Sequence, residues 1–237
     1  MVLEGDRLVE DALLGGFEPE PVLLAASRRE RAGELAARGA SVRLVSDALL
    51  AGLSRLRTPP GILALVRVPE PRLLAGLPAE DDALVVVACG LQDPGNLGAL
   101  ARTAEAAGCA ALVVAGAAGC RPWNEKALRG SMGSLLRLPT FEVEDERTAW
   151  DALVGAGYRP VVARTRGGAE PRELDWSGRV ALWLSAETGE LPQAIEGRAG
   201  EALGVTIPIA RGVESLNATI AAAVLLFAAG RTGGGRA

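Results

Sequence analysis

Apolar and polar positions alternate along the chain in two registers, one helical and one extended. In DRLVEDALLGG (residues 6–16), Leu8, Val9, Ala12 and Leu13 recur at helical spacing and two glycines follow, which predicts an amphipathic helix with its stop signal. PVLLAA (21–26) and SVRLVS (41–46) read as short strands. RRERAGELAARG (28–39) between them predicts an arginine-heavy helix, SDALLAGLSRL (46–56) another, and GILALVRV (61–68) a last strand after Thr58-Pro59-Pro60. The expected unit is a small αβ sandwich, suited to binding rather than to enclosing a deep active site.

The pattern changes after residue 83. ALVVVACG (83–90) is a continuous apolar run of the kind found in a parallel strand covered on both faces. AALVVAG (110–116), YRPVVART (158–165), VALWLS (180–185) and ALGVTIPI (202–209) predict further strands, separated by helix patterns over 97–107, 123–130, 146–155 and 215–229. Strands alternating with helices predict an α/β class, with a parallel sheet joined by crossovers. VPEPRLLAGLPAEDD (68–82), with three prolines and three closing acids, reads as a linker. The expected division is an αβ domain over 1–68, a linker over 69–82, an α/β domain over 83–230 and a glycine-rich, disordered tail over 231–237.

Composition narrows the chemistry. The chain has 237 residues, 49% of them hydrophobic and 23% charged, which excludes disorder and collagen-like repeats. It contains no histidine, so an imidazole base, a Ser-His-Asp relay and a histidine-bearing metal site are all excluded. Lys126 is the only lysine among 25 basic residues, leaving one candidate for a Schiff base. Cys89, Cys109 and Cys120 are odd in number and match neither a disulfide framework nor a zinc ribbon, so no metal is expected. The net charge is −4, and neither half is basic, which argues against bulk nucleic-acid coating but leaves room for a local basic patch. The start, MVLEGDRLVEDALL, carries acids where a signal peptide needs bases, and no apolar run approaches the roughly 18 residues of a membrane span. A cytoplasmic protein without a membrane partner is the expectation.

Ligands of open α/β sheets gather at the carboxyl ends of the strands, which directs attention to four segments. In LQDPGNLGALARTAEAAGC, Asn96 is placed to cap a helix, and Gly98 and Arg102 share a face. On that face the missing side chain of Gly98 leaves room above the guanidinium; the spacing also fits a plain capped helix with Arg102 paired to Glu105. AETGELP (186–192) sets Glu187 and Gly189 in a strand-to-helix turn. ARGVESLNATIAAAVLLF (210–227) places Glu214, Ser215 and Asn217 at the mouth of a helix apolar on all sides, which predicts a buried helix. CRPWNEKALRGSMGSLLRLP (120–139) holds Arg121, Lys126, Arg129 and Arg137 against Glu125, with Trp123 and a Ser-Met-Gly-Ser turn, a patch suited to phosphate.

Taken together and in order, these segments resemble the SpoU (TrmH) family of RNA ribose 2′-O-methyltransferases, of the SPOUT class. An Asn-x-Gly-x-x-x-Arg run stands as Asn96, Gly98 and Arg102. Ile207-Pro208 and Ser215-Leu216-Asn217 lead into the alanine-rich helix, and RGSMGSLLRLP resembles the segment between. VLEGDRLVEDAL and TPPGILALV resemble the small RNA-binding domain that many members carry first. One motif departs: where the family has Gly-x-Glu-x-x-Gly-Leu, this chain has Ser185, Ala186, Glu187, Thr188, Gly189, Glu190 and Leu191, with side chains at two glycine positions of a turn that lines the cofactor pocket.

The resemblance implies a deep trefoil knot, a homodimer with composite active sites, and S-adenosylmethionine as cofactor. It assigns Arg102, Asn96, Glu187, Ser215 and Asn217 to the active site, and Ser185, Ala186, Glu187, Gly189, Ile207, Leu216 and Asn217 to the cofactor. Arg28, Arg29 and Arg31 on the first domain, with Arg121, Lys126 and Arg129 on the second, are the expected RNA contacts. An aromatic content of 3% provides no obvious base-stacking platform, so folded RNA, ribosomal RNA first, is the expected substrate. The departures at Ser185 and Glu190 keep a second reading open, a noncatalytic RNA-binding or ribosome-assembly protein on the same fold. A third is a monomeric α/β enzyme holding a phosphorylated small molecule at the Asn96 helix.

Overall fold

The structure, a computed structural model, describes residues 1–185, 195 and 198–230. The N-terminal residues form a four-stranded sheet in the order β1 (Val2–Glu4), β4 (Ile62–Leu65), β2 (Val22–Ala25), β3 (Val42–Val45). β4 runs antiparallel to β1 and β2, while β2 and β3 are parallel. Helices α1 (Asp6–Leu14), α2 (Ala32–Ala37) and α3 (Asp47–Leu53) connect them. The arginine-rich helix expected over 28–39 is instead a 3-10 turn, Ala26–Arg31, followed by α2. Its backbone breaks at Arg28, whose guanidinium reaches back to Asp6 at 3.0 Å and to the Pro60 carbonyl at 2.6 Å.

The second sheet has six parallel strands in the order β10 (Leu203–Val205), β8 (Arg159–Ala163), β9 (Val180–Ser185), β5 (Leu84–Cys89), β6 (Ala111–Ala115), β7 (Thr140–Val143). β5 is buried along its whole length, and its side chains divide by parity. Leu84, Val86 and Ala88 join one apolar cluster with Leu97, Leu100 and Ala104 of α4 (Pro94–Ala106) and with Leu225 and Leu226 of the C-terminal helix. Val85, Val87 and Cys89 join the opposite cluster with Trp150 and Leu153 of α7 (Glu146–Gly155), where Trp150 and Trp183 stack at 4.9 Å. This two-sided cover explains why the run carries no polar position. The remaining helices are α5 (Glu125–Gly130), α6 (Ser134–Arg137) and α8 (Ala218–Ala228).

Residues 69–82 hold a short 3-10 turn, Leu74–Gly76, after which the chain lies against the six-stranded sheet. Leu77 is buried there, Tyr158 donates its hydroxyl to the Pro78 carbonyl at 2.7 Å, and Arg179 donates to the Glu80 carbonyl at 2.9 Å. The first apolar cluster continues without a break into the N-terminal unit, taking in Leu3, Val9, Val22 and Ile62.

Two expectations about α4 are corrected. The cap is Asp93, whose carboxylate accepts from the Gly95 N–H, because Pro94 lacks an N–H and fixes the first helical φ. Asn96 therefore lies inside the first turn. Gly98 makes no room for a guanidinium: a Cβ there would sit 2.3 Å from the Ala127 carbonyl oxygen and 2.8 Å from the Ser131 nitrogen, so its bareness lets α4 press against the backbone of α5. Alanine in an unconstrained helix is favoured over glycine by up to about 1 kcal/mol. At this contact Gly98→Ala should reverse the sign and destabilise by about 1–3 kcal/mol, seen as a melting temperature lowered by several degrees in a thermal scan.

Candidate active site

The strand order reverses between β5 and β9, because β6 and β7 lie to one side and β8 and β10 to the other. Loops leaving the carboxyl ends of the strands diverge at such a point and open a crevice. Beside this point, over the carboxyl ends of β8, β9 and β10, lies a cleft walled by Leu184, Val205, Ile207, Ile209, Leu216 and Leu225. Polar groups meet it from Ser185 at the end of β9, from Arg164 and Thr165 at the end of β8, and from Ser215. The Ser185 hydroxyl is buried and finds no hydrogen-bond partner among the described residues. A buried hydroxyl without a partner at a cleft wall fits a site that a polar ligand completes.

The start of α8 borders the cleft and is bonded to the start of α4. Asn217 caps α8, its side-chain oxygen accepting from the Thr219 N–H at 2.9 Å and the Ile220 N–H at 3.3 Å. Its amide nitrogen donates to the Asn96 side chain at 3.4 Å, and the Thr219 hydroxyl donates to the Asn96 carbonyl at 3.1 Å. Two asparagines 121 positions apart in sequence thus clamp α4 to α8. Capping accounts for Asn217, and Ser215 lies on the cleft wall.

Arg102 lies elsewhere on α4. At about 100° per residue it points roughly 120° around the helix from Asn96, it is exposed, and it does not line the cleft. The pairing with Glu105 that the spacing allows is not made: Glu105 is held by Arg137, at 2.7 Å through two parallel bonds. Among the described residues no carboxylate pairs with Arg102.

The helix expected to be buried on all sides is not. Ile220, Val224 and Phe227, spaced along one stripe of α8, are 56%, 43% and 53% exposed, while Ala222, Leu225 and Leu226 face the core.

The basic segments are more neutralised than their composition indicates. Lys126 pairs with Asp93 at 2.9 Å, and the same hydrogen bond holds the Asp93 carboxyl below the usual aspartate value. Arg121 meets Glu142 at 3.3 Å, and Arg28 and Arg31 are bound to Asp6 and Glu10. Arg29 is exposed, and Arg129 opens onto a groove between the two sheets lined also by Arg55, Trp123, Asn124 and Lys126. Among the described residues neither Arg29 nor Arg129 has an ion pair. Burial pushes the Cys89 thiol far above its ordinary value, and that of Cys120 upward, so neither supplies a thiolate nucleophile at neutral pH.

Of the residues expected to act together, the structure joins Asn96 with Asn217 and brings Ser185, Ile207, Ser215 and Leu216 to one cleft. Ala186, Glu187, Gly189 and Glu190 lie outside the described residues, as does most of the segment after β9 on which the expected knot depends. Sequence reading passed over Arg164 and Thr165, although they stand directly after the strand YRPVVART, where the carboxyl-end rule would have found them. Leu184, Val205, Ile209 and Leu225 carried no such signal, since wall residues of an apolar cleft look like core.

Proteins similar to this chain include methyltransferases. The chain is 28% identical over 226 residues to the 23S rRNA (guanosine(2553)-2′-O)-methyltransferase RlmP of Bacillus subtilis, covering 95% of this chain and 86% of that one. The crystal structure of the SpoU methyltransferase AviRb from Streptomyces viridochromogenes, in complex with AdoMet, superposes with a TM-score of 0.84 at 29% identity, covering 100% and 91% of the two chains. An AdoMet-bound rRNA methyltransferase from Sinorhizobium meliloti superposes at 0.85 and 27% identity, covering 97% and 86%. Residues 1–64 match the MRM3-like substrate binding domain. Residues 83–227 match the SpoU rRNA Methylase family, and the chain belongs to it.

Proposed function

We propose that this protein methylates a ribose 2′-oxygen of structured RNA, with ribosomal RNA as the substrate and S-adenosylmethionine as the methyl donor. The observation that carries the reading is the apolar cleft at the carboxyl ends of β8, β9 and β10, with the unpartnered Ser185 hydroxyl on its wall. Leu184, Ile207, Leu216 and Leu225 would enclose the apolar body of the cofactor, while Ser185 and the backbone of its neighbours would meet the polar parts. Ser185 stands where the family has glycine, yet its side chain is accommodated within the wall. When bound, S-adenosylmethionine supplies a methyl group activated by its sulfonium.

The chain's own residues supply orientation and charge. A ribose hydroxyl is a poor nucleophile until its proton is shared or removed. Arginine is a poor literal base because its guanidinium stays protonated. Arg102 therefore grips the phosphate beside the target and holds the hydroxyl in line, and Asn96, fixed by Asn217, sets the start of the helix that presents it. Since Arg102 points away from the cleft of its own chain, the reading includes a homodimer in which Arg102 serves the partner's cleft. The exposed stripe Ile220, Val224 and Phe227 is the face for that contact.

The division into a substrate-binding unit over 1–68 and a catalytic unit over 83–230 belongs to the same reading. RNA lies along the groove between them, against Arg129, Lys126 and Arg55, with Arg29 reaching an outlying phosphate. A cytoplasmic location belongs to the same reading. No described helix is long and apolar enough to cross a membrane.

Titration calorimetry with S-adenosylmethionine and a methylation assay on ribosomal RNA test these statements together. The wild-type chain should bind the cofactor, and the absence of heat at millimolar concentration would favour the noncatalytic RNA-binding reading. Arg102→Ala should keep cofactor binding within about two-fold and lower kcat/KM by roughly 10²-fold or more, the scale for removing a preorganised electrostatic contact. Full activity in that variant would refute the role. Ala221→Phe, which fills the cleft, should abolish cofactor binding. Phe227→Asp should convert a dimer to a monomer in light scattering and lose activity while the cleft still binds cofactor; an unchanged mass would move the interface elsewhere.

A further inference from the structure

Arg102 and Glu105 stand three residues apart on α4, neighbours on the surface of a helix. An unrestrained Glu105 is the natural partner of Arg102, and a guanidinium paired within its own helix is less available to a phosphate. The structure gives the Glu105 carboxylate a different partner. Arg137, at the end of α6, takes it through Nε to Oε1 and Nη2 to Oε2, both at 2.7 Å, the parallel two-bond geometry that orients a carboxylate most firmly.

Arg137 is itself held from the other side. Its Nη1 lies 2.6 Å from Oδ2 of Asp11, an α1 carboxylate whose side chain is only 5% exposed. Room for Asp11 comes from Gly133: a Cβ there would fall 1.9 Å from Asp11 Oδ2, and the φ of +87° suits glycine. The Ser-Met-Gly-Ser turn is thus shaped around an ion-pair chain running from α1 through Arg137 to α4. The hydrogen bonds that Arg137 donates to the Glu105 and Asp11 carboxylates hold its guanidinium firmly protonated.

We infer that Arg137 is a positioning residue for methyl transfer: by occupying Glu105 it leaves the Arg102 guanidinium free for the RNA phosphate, and through Asp11 it links that freedom to the docked N-terminal unit. The inference rests on the reading of Arg102 given above. Without Arg137, Glu105 loses its two-bond partner, and its negative charge bears on Arg102 or on the phosphate beside it, either of which weakens the contact.

The same ion pairs also staple three helices, so the test must separate positioning from stability. Removing Arg137 alone takes from the buried carboxylate of Asp11 one of the two arginines, Arg7 and Arg137, that pair with it, and the comparison is therefore made in an Asp11→Asn background. Adding Arg137→Met should lower kcat/KM on ribosomal RNA by about three- to ten-fold, the scale of one exposed pair plus one nearby charge, with cofactor affinity unchanged. Adding Glu105→Gln as well should restore activity to within about two-fold of the background. A structural staple predicts the opposite, since the triple variant has lost every bond of the chain and should be no better than the double. Failure of that rescue, or full activity in the double variant, overturns the inference. Should the Met variant unfold, Arg137→Lys keeps a cation with a single line of contact, and its smaller loss should likewise be relieved by Glu105→Gln. Arg102→Ala, measured beside them, keeps the two readings apart: full activity there sinks the Arg102 assignment, whereas loss of activity there with no rescue by Glu105→Gln sinks only the role of Arg137.

Discussion

The approach of α4 to α5 at Gly98 constrains most of what this molecule can do. A helix pair normally keeps its axes apart by the width of two side chains, but here the Gly98 backbone lies against the Ala127 carbonyl and the Ser131 nitrogen, and on the facing helix a Cβ added at Gly130 would sit 3.4 Å from the Gly95 carbonyl oxygen and 3.5 Å from the Gly98 Cα. Because α4 sits so deep on α5, its first turn reaches Asn217 at the start of α8 and its last turn reaches Arg137 at the end of α6. One glycine contact therefore sets the position of Asn96, Arg102 and Glu105 together. Through Asn96 and Asn217, α4 is tied to α8, whose Ala218, Ala221 and Leu225 line the cofactor cleft, while the last turn of α4 carries the charged face.

Much of this architecture was legible in the chain, where the physical signal was local and strong. β5 announced itself by an apolar run without a polar interruption, and α7 by its period, which runs from Glu146 to Gly155 as expected. β1 and β7 were missed because three or four residues, Val2–Glu4 and Thr140–Val143, are too few to show a period, and their pairing comes from distant strands. The break at Arg28 was invisible for a similar reason: the acceptors that pull it out of the helix, Asp6 and the Pro60 carbonyl, are 22 and 32 positions away. α8 misled in a more informative way. Composition alone reads an all-apolar helix as buried, whereas one stripe of it is bare in the single chain, which turns a statement about the core into one about a contact surface.

The candidate site divides along the same line. The asparagine, arginine and serine positions stood out as polar groups at the mouths of apolar elements, so residue chemistry sufficed to nominate them. Their partnerships did not follow. Spacing proposed Arg102 with Glu105, and the structure assigns Glu105 to an arginine 32 residues on. A helix neighbour is a weak partner, worth a few tenths of a kcal/mol, and a two-bond contact from another helix displaces it with ease. Counting charges over 121–137 erred for the same reason, since Asp93, Glu142 and Glu105 are supplied by segments outside the window.

The missing histidine takes on its meaning in this context. A site built on imidazole can be switched by a proton, because its charge changes near neutral pH. Arginine offers no such switch, since its charge is constant under any working condition. A chain that relies on arginine must control the group by deciding which carboxylates may approach it, and that control is geometric. The ion-pair chain from Asp11 through Arg137 to Glu105 has this character: each member is fixed by shape, by the bare Gly133 turn at one end and by the depth of α4 at the other. Availability of Arg102 then depends on packing between helices rather than on pH, and the packing that governs it includes α1 of the N-terminal unit. On the proposed reading, RNA held by that unit and the arginine that would act on it are joined through three salt-bridged side chains.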